Sequence, residues 1–174
     1  GENIVGVCIA GLGAGAGGSF KGIAIAGLGA GAGEDFKGLA IAGLGAGCGE
    51  NFDGIAVAGL GVGAGERFTG LAICGLGAGA PEVRGLVIGG IGAGGLDLKG
   101  VFLGGAMIRV EKGGRLSGLA ASSFNHIRGA LNGLSIGIVN YAWTIEKGIQ
   151  LGVVNIVRDN PKGLKVLPVF NAGF

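Results

Sequence analysis

The sequence is short of the residue types that build most catalytic and metal sites. It has one histidine, His126, three cysteines, and only 14% charged residues. A lone histidine with dispersed cysteines does not supply the ligand sets that zinc requires. Cys8, Cys48 and Cys74 each stand where neighbouring repeats carry alanine, so we interpret them as small apolar filler. We therefore expect no enzyme activity, no catalytic residues, no cofactor and no metal.

Strong net charge and helix-forming apolar runs are also missing. The net charge is +2, so there is no electrostatic footprint for nucleic acid, and none is expected as a partner. The longest uncharged stretch, residues 3–20, is rich in glycine, which costs about 1 kcal/mol per residue in a helix, so a transmembrane helix is not expected. The 45 glycines follow no strict three-residue period, which excludes collagen.

What the sequence has instead is an internal repeat. Eleven units of 15 or 16 residues, with one of 18, each begin with glycine. The second position of every unit is aliphatic, the fourth is aliphatic in all but one, and the seventh is apolar throughout. The units begin at Gly6, Gly22, Gly38, Gly54, Gly70, Gly85, Gly100, Gly118, Gly133, Gly148 and Gly163.

The pattern within a unit predicts strand, bend, strand and turn. Positions two and four alternate with the period of a strand, and position seven breaks that parity. Glycines such as Gly27 and Gly43, at position six, suit the bend. We predict an all-β fold with a single narrow β-solenoid of about eleven Gly-led coils. The one domain, 1–174, would comprise alanine- and glycine-rich coils (1–99), an irregular coil (100–117) and asparagine-bearing coils (118–174).

Equivalent positions of successive coils would stack into columns, and each column would contain one type of side chain. We expect the aliphatic residues at positions two, four and seven to fill the core, with help from Phe20, Phe36, Phe52 and Phe68. The alanines at positions three and five would then form a flat outer association face. Its members are Ala24, Ala26, Ala40, Ala42, Ala56, Ala58 and Ala72.

The last units differ from the alanine- and glycine-rich units because they carry polar residues at repeated positions. Asn125, Asn140 and Asn155 share position eight of three successive units, and stacked amides can pair between coils as an asparagine ladder. Ser135, Gln150 and Lys165, at position three, are expected to point outward. The segment "ASSFNHIRG" places His126 near two serines, and we interpret this histidine as a surface or loop residue.

The same patterns are also typical of one other fold and of one other kind of site. Segments of about twelve apolar residues and the terminal Phe170 and Phe174 also suit an antiparallel outer-membrane β-barrel, which is the alternative fold. The string "GLGAGAGEDFKG" at 27–38 could suggest a phosphate-binding loop. No helix-period segment follows any of its copies, and four tandem copies favour a structural role for the glycines.

The last units resemble a known family. "GLSIGIVNYAWTIEK", "GIQLGVVNIVRDNPK" and "GLKVLPVFNAGF" are similar to units of leptospiral-type bacterial surface-repeat proteins, which run Gly-aliphatic-x-aliphatic-Gly-aliphatic-aliphatic-Asn. The resemblance covers mainly residues 118–174, and the alanine-glycine part departs from it. It implies an exported protein, secreted or at the cell surface, with the bacterial outer membrane as a further location. The first matching unit is Gly133, Leu134, Ile136, Gly137, Ile138, Val139 and Asn140.

A structural function follows from these observations. We expect a non-enzymatic surface protein that associates with itself through flat faces, in oligomers, fibres or adhesion contacts. Another copy of the chain is the expected partner, with a membrane or other surface proteins as alternatives. Ice binding by a regular array of small residues is a further alternative, although threonine ladders are absent.

Overall fold

A computed structural model, which describes residues 1–173, shows a parallel β-solenoid with sixteen strands in one continuous sheet. No helix that could cross a lipid bilayer occurs in this described part of the chain. Phe174, to which the sequence analysis assigned a terminal aromatic role, lies outside it. The strands are β1 Ile4–Ala10, β2 Gly13–Ala16, β3 Phe20–Ala26, β4 Gly29–Ala32, β5 Phe36–Ala42, β6 Gly45–Cys48, β7 Asn51–Ala58, β8 Gly61–Ala64, β9 Arg67–Cys74, β10 Gly77–Gly79, β11 Glu82–Gly89, β12 Gly92–Gly104, β13 Met107–Ala121, β14 Phe124–Ile136, β15 Val139–Val157 and β16 Val166–Gly173.

Successive coils lie directly over one another in register. β1 pairs with β3 so that Gly6 faces Gly22, and the same glycine column continues coil by coil to Gly148 in β15. The shorter strands β2, β4, β6, β8 and β10 form a second parallel row. This pairing confirms the predicted solenoid, and the antiparallel alternative is wrong. The longer row contains ten strands, one from each stacked unit, and a spacing of about 4.8 Å gives it a length of roughly 43 Å.

The predicted number of coils is too high. Ten units stack in parallel and are joined by about nine turns, because the unit that begins at Gly163 does not stack as another parallel coil. A turn containing Pro161 and Gly163, which has φ of 95°, reverses the chain. β16 then runs antiparallel along β15, with Gly173 opposite Gly148.

Glycines at three positions of each regular coil let the coils approach closely. In a typical coil these are Gly38, Gly43 and Gly49, and a Cβ on any of them would collide with a carbonyl oxygen of the coil before. Gly38 also has φ of 133°, a conformation that other residues rarely adopt. β5 ends at Ala42 and β6 begins at Gly45, which confirms the predicted bend at position six, and Gly43 serves stacking as well as bending.

The interior is built from the small residues and not from the large aliphatic ones. Phe20, Phe36, Phe52 and Phe68 are buried, as predicted, and stack with ring centroids 4.7–5.0 Å apart. The prediction that positions two, four and seven fill the core is wrong in the repeated coils. Ile23 and Ile41 are 37% exposed and Leu44 is 45% exposed. The interior of so narrow a coil has room for little more than alanine beside the phenylalanine stack.

The later coils have a larger core. From residue 92 onward the two rows join into long strands, and the pairing of β13 with β14 shifts in register between Val110 and Gly114. Gly113, within this irregular stretch, has φ of 81°. Fully buried side chains here include Leu98, Phe102 and Leu131, which are much larger than the alanines of the earlier coils.

Candidate functional site

The surface with the strongest functional signal is a double column of aliphatic side chains that runs the whole length of the solenoid. We call it the outer apolar face and define it as positions two and four of the ten stacked coils. Its first column is Val7, Ile23, Leu39, Ile55, Leu71, Leu86, Val101, Leu119, Leu134 and Ile149, and its second is Ile9, Ile25, Ile41, Val57, Ile73, Ile88, Leu103, Ala121, Ile136 and Leu151.

The side chains of this face are exposed or half-buried against their neighbours in adjacent coils. Ile55 is 43% exposed, Ile73 38% and Ile149 39%. In the regular coils no charged residue occurs anywhere in the twelve residues that start at each leading glycine, such as 38–49 and 54–65. Soluble proteins rarely leave so continuous an apolar surface without a partner. The face is therefore a candidate interaction surface.

Among residues 1–99 the charges are gathered on a separate edge, in the residues just before each leading glycine. Glu82 pairs with two arginines on this edge, with the Arg67 Nε 2.6 Å from one carboxylate oxygen and the Arg84 Nη2 2.5 Å from the other. Hydrogen bonds from Arg67 and Arg84 lower the pKa of Glu82 below its ordinary value. Lys99 lies 3.9 Å from the same carboxylate. The solenoid is thus amphipathic, with one charged edge beside a long uncharged surface.

The association face expected from the sequence is not on the surface. All seven of its alanines point inward and are at most 6% exposed. They share strand parity with the buried phenylalanine of the same coil, as Phe36, Ala40 and Ala42 show. The aliphatic residues share parity with Lys37, which is exposed. The buried alanines are Ala24, Ala26, Ala40, Ala42, Ala56, Ala58 and Ala72.

The three asparagines form the ladder that the sequence predicts. Asn125 Nδ2 donates to Asn140 Oδ1 at 2.8 Å, and Asn140 Nδ2 donates to Asn155 Oδ1 at 2.8 Å. All three are fully buried. Ser122 Oγ lies 2.9 Å from Asn125 Oδ1, and Asn155 Nδ2 donates to the Leu167 carbonyl in β16 at 3.3 Å. The ladder is therefore closed by a hydroxyl at one end and by the reversed strand at the other.

Two glycines that sequence reasoning did not connect with the ladder make room for it. A Cβ on Gly137 would lie 2.8 Å from Asn125 Nδ2, and one on Gly152 would lie 2.6 Å from Asn140 Nδ2. Each precedes its own asparagine by three residues, in "GIVN" and "GVVN". That Gly-x-x-Asn spacing is the signal that could have identified them.

Two polar residues expected on the outside are buried. Ser135 Oγ donates to Asn140 Oδ1 at 2.9 Å, so it joins the ladder. Gln150, next to Ser135 in the same inward column, is fully buried and its amide has no hydrogen-bond partner within residues 1–173. Position three is an inward column, as its alanines show, and this is the reason for the correction. Lys165 is exposed, in the turn before β16.

The residues considered for chemistry are placed apart from one another. Cys48 and Cys74 are free and occupy inward alanine positions, where burial raises the pKa of both thiols. His126 is half-buried on the surface between Phe124 and Tyr141, with ring centroids 5.5 and 5.1 Å away. No three histidine, cysteine, aspartate or glutamate side chains of residues 1–173 come together in a way that could hold a metal ion.

Comparisons with known proteins identify no relative. No family model, curated protein or solved structure matches the chain.

Proposed function

We propose that the protein is a structural, self-associating protein in which the outer apolar face of one molecule packs against that of another. The observation that carries this proposal is that the outward columns are aliphatic in the stacked coils, with Ala121 as the one alanine, while the inward columns vary. The inward column at position three changes from Ala72 through Val87 and Phe102 to Ser135 and Gln150.

The geometry of the face favours a second copy of the chain as its occupant. Side chains repeat at about 4.8 Å along the solenoid and roughly 7 Å along each strand, so the face of one copy presents the same two spacings as the face of another. Two such faces can interdigitate as in sheet-on-sheet packing. The charged edge lies outside the contact and can remain in water. A location at a bacterial surface, as the resemblance of residues 118–174 implies, belongs to the same proposal.

Substitution on the face tests the proposal. The triple variant Ile41→Thr, Ile73→Thr and Ile88→Thr keeps β-branched residues at exposed strand positions, so its fold should persist. We expect the parent protein to form dimers or larger assemblies in analytical ultracentrifugation between micromolar and near-millimolar concentration. The triple variant should remain monomeric over that range.

A matched control replaces three exposed residues on the charged edge instead. Lys37→Thr, Arg84→Thr and Lys99→Thr remove as many side chains without touching the outer apolar face, and the assembly should persist. A parent protein that stays monomeric throughout, or equal assembly by the two triple variants, would refute the proposal. Association of the parent with neutral lipid vesicles in place of self-association would also refute it.

A further inference from the structure

A cleft on the charged edge of the later coils has the features of a ligand site that the self-association proposal does not use. We call it the Trp143 cleft, and its cavity has a volume of about 440 Å³. Small-molecule sites in proteins commonly have volumes of this order. The side chains that matter for its chemistry are Asp97, Lys99, Arg115, Trp143, Glu146 and Asp159.

The cleft exists because the later coils depart from the regular register. The pairing of β13 with β14 shifts between Val110 and Gly114, and that of β14 with β15 shifts between Ile127 and Ala130. Gly114 and Gly129 line the cavity, and a Cβ on either would collide with backbone of the coil before. The early coils pair without any register shift. The polar recess, with bare backbone at its base, thus lies where the coils differ in length and the register is broken.

The charged groups around this recess are mixed in sign. Three carboxylates and two cationic side chains line it, so the local formal charge is only about −1. Asp97 and Asp159 form no ion pair or side-chain hydrogen bond within the described residues, while Glu146 accepts from Arg115 at 3.2 Å. Near-neutral, closely spaced acceptors and donors suit a ligand whose groups both donate and accept, and hydroxyl groups have this property.

One wall of the cleft is aromatic. Trp143 is half-buried, and the guanidinium of Arg158 lies 5.1 Å from its ring centroid. This guanidinium lies over one face of the indole and helps to fix its orientation, so a ligand ring would stack on the other face. Asp159 is tied to the same place by its N–H, which donates to the Trp143 carbonyl at 3.0 Å. An indole face offers an apolar surface to the C–H groups of a sugar ring.

We propose that the Trp143 cleft binds a neutral saccharide, with Trp143 stacking on a sugar ring and the surrounding charged side chains hydrogen-bonding its hydroxyl groups. The column from Asp97 through Arg115 and Ala130 to Thr144 spans three coil steps, or roughly 14 Å, so the cleft has room for more than one sugar ring. A strongly anionic ligand would meet three carboxylates, and a lipid chain would meet too many charges.

Trp143 is the only tryptophan in the chain, so its fluorescence reports on this cleft alone. The full chain is titrated with cellotriose, maltotriose and chitotriose, and with inorganic phosphate as a charged probe, and binding is verified by calorimetry. At least one trisaccharide should produce a saturable change in emission and phosphate should produce none. Asp97→Asn and Glu146→Gln should each weaken that binding about tenfold or more, the usual effect of losing a hydrogen bond to a charged group.

Asp53→Asn is the matched control, because Asp53 occupies the column of Lys99 in an early coil that has no register shift. Its sugar affinity should equal that of the parent, and Glu146→Gln should leave the oligomeric state unchanged. Circular dichroism checks the fold of each variant, and two independent variants guard against misfolding of one. The proposal is overturned if none of the trisaccharides binds, if phosphate binds more tightly than all three, or if folded Asp97→Asn and Glu146→Gln both retain parental affinity.

Discussion

The early and late coils share one outer apolar face but differ in the chemistry of their buried side chains. Between residues 20 and 80 the buried side chains are alanine, phenylalanine, a valine and a cysteine, and none is polar. The buried polar side chains of the described chain all lie from Asn125 onward. Close backbone approach at glycines stacks the coils in both halves, as at Gly43 and Gly133, and the late half adds hydrogen-bonded amides in its interior.

This difference bears on how the register of the coils is specified. In the early coils a slip by one whole coil replaces each residue by an equivalent one, as Phe36 by Phe52 or Gly38 by Gly54. Such a slip leaves the apolar packing between the remaining coils unchanged, and its only cost is the contact of the one coil that no longer pairs. The asparagine ladder does penalise it, because a displaced amide would lose its partner inside the protein. The later coils can thus fix the register for the whole repeat.

The largest expected effect breaks the stacking of the early coils. Gly43→Ala places a Cβ against the Gly27 carbonyl oxygen of the preceding coil, and should lower the free energy of unfolding by at least about 3 kcal/mol. Urea unfolding followed by circular dichroism measures the change.

Gly11→Ala is the matched control for this substitution. Gly11 lies in the same corner column, but a Cβ there would meet nothing within 4 Å. Its effect should stay within about 0.5 kcal/mol. Equal destabilisation by the two variants would show that close approach is not the reason for the glycine column.

A smaller effect is expected when the ladder of the late coils is cut. Asn140→Ala removes the acceptor of Asn125 Nδ2 and of Ser135 Oγ and the donor to Asn155 Oδ1, and should cost about 2–3 kcal/mol. The same urea titration measures it.

Two further variants sharpen this comparison of the halves. Asn132→Ala removes an exposed amide that donates to Glu146, and should cost less than about 1 kcal/mol. Ala46→Asn places an amide in the ladder column of an early coil, where no partner exists, and should be destabilising. A neutral Ala46→Asn together with a neutral Asn140→Ala would mean that amide pairing does not distinguish the halves.

The smallest expected effect concerns pH and the surface of the late coils. Burial, together with the charges of Arg128 and Arg109, lowers the pKa of His126, and Glu111 opposes this only in part. The imidazole of His126 is therefore protonated at a higher pH in the unfolded chain, near pH 6.5, than in the folded protein. The contribution to stability is complete above that pH and declines as the pH falls towards the lower pKa of the folded protein.

Thermal unfolding at pH 7.5 and pH 5.5 tests this sign, with both values chosen to bracket a histidine pKa of about 6.5. The parent should lose more stability at the lower pH than His126→Gln does. Identical pH dependence of the two proteins would contradict the assignment to His126.

The sequence predicts the repeat well because each column is a one-dimensional pattern. Coil length, the bend at Gly27 and Gly43, the phenylalanine core and the pairing of Asn125, Asn140 and Asn155 all follow from residues that recur at fixed spacing. Alternation divides a strand into two sides but does not say which side is inside. Assigning the larger aliphatic residues to the core therefore put Ala40 and its equivalents on the wrong side.

The sequence did contain a residue that decides the question. Lys37, Leu39 and Ile41 lie at alternate positions of β5, so a lysine kept in water places the two aliphatic residues outside with it. Other features depend on contacts between distant segments. The reversal of β16 and the recess beside Trp143 arise where the period is broken, and no column predicts the geometry of such a place.

The regularity of the early coils also has a consequence for inheritance. Deleting residues 38–53 would join Lys37 to Gly54, and the phenylalanine, alanine, glycine and aliphatic columns would then meet the same kind of neighbour that they meet now. Gain or loss of whole repeat units would therefore lengthen or shorten the solenoid by whole turns without disturbing the columns at either end. The length of the solenoid can change in steps of one coil while the structure of each coil stays the same.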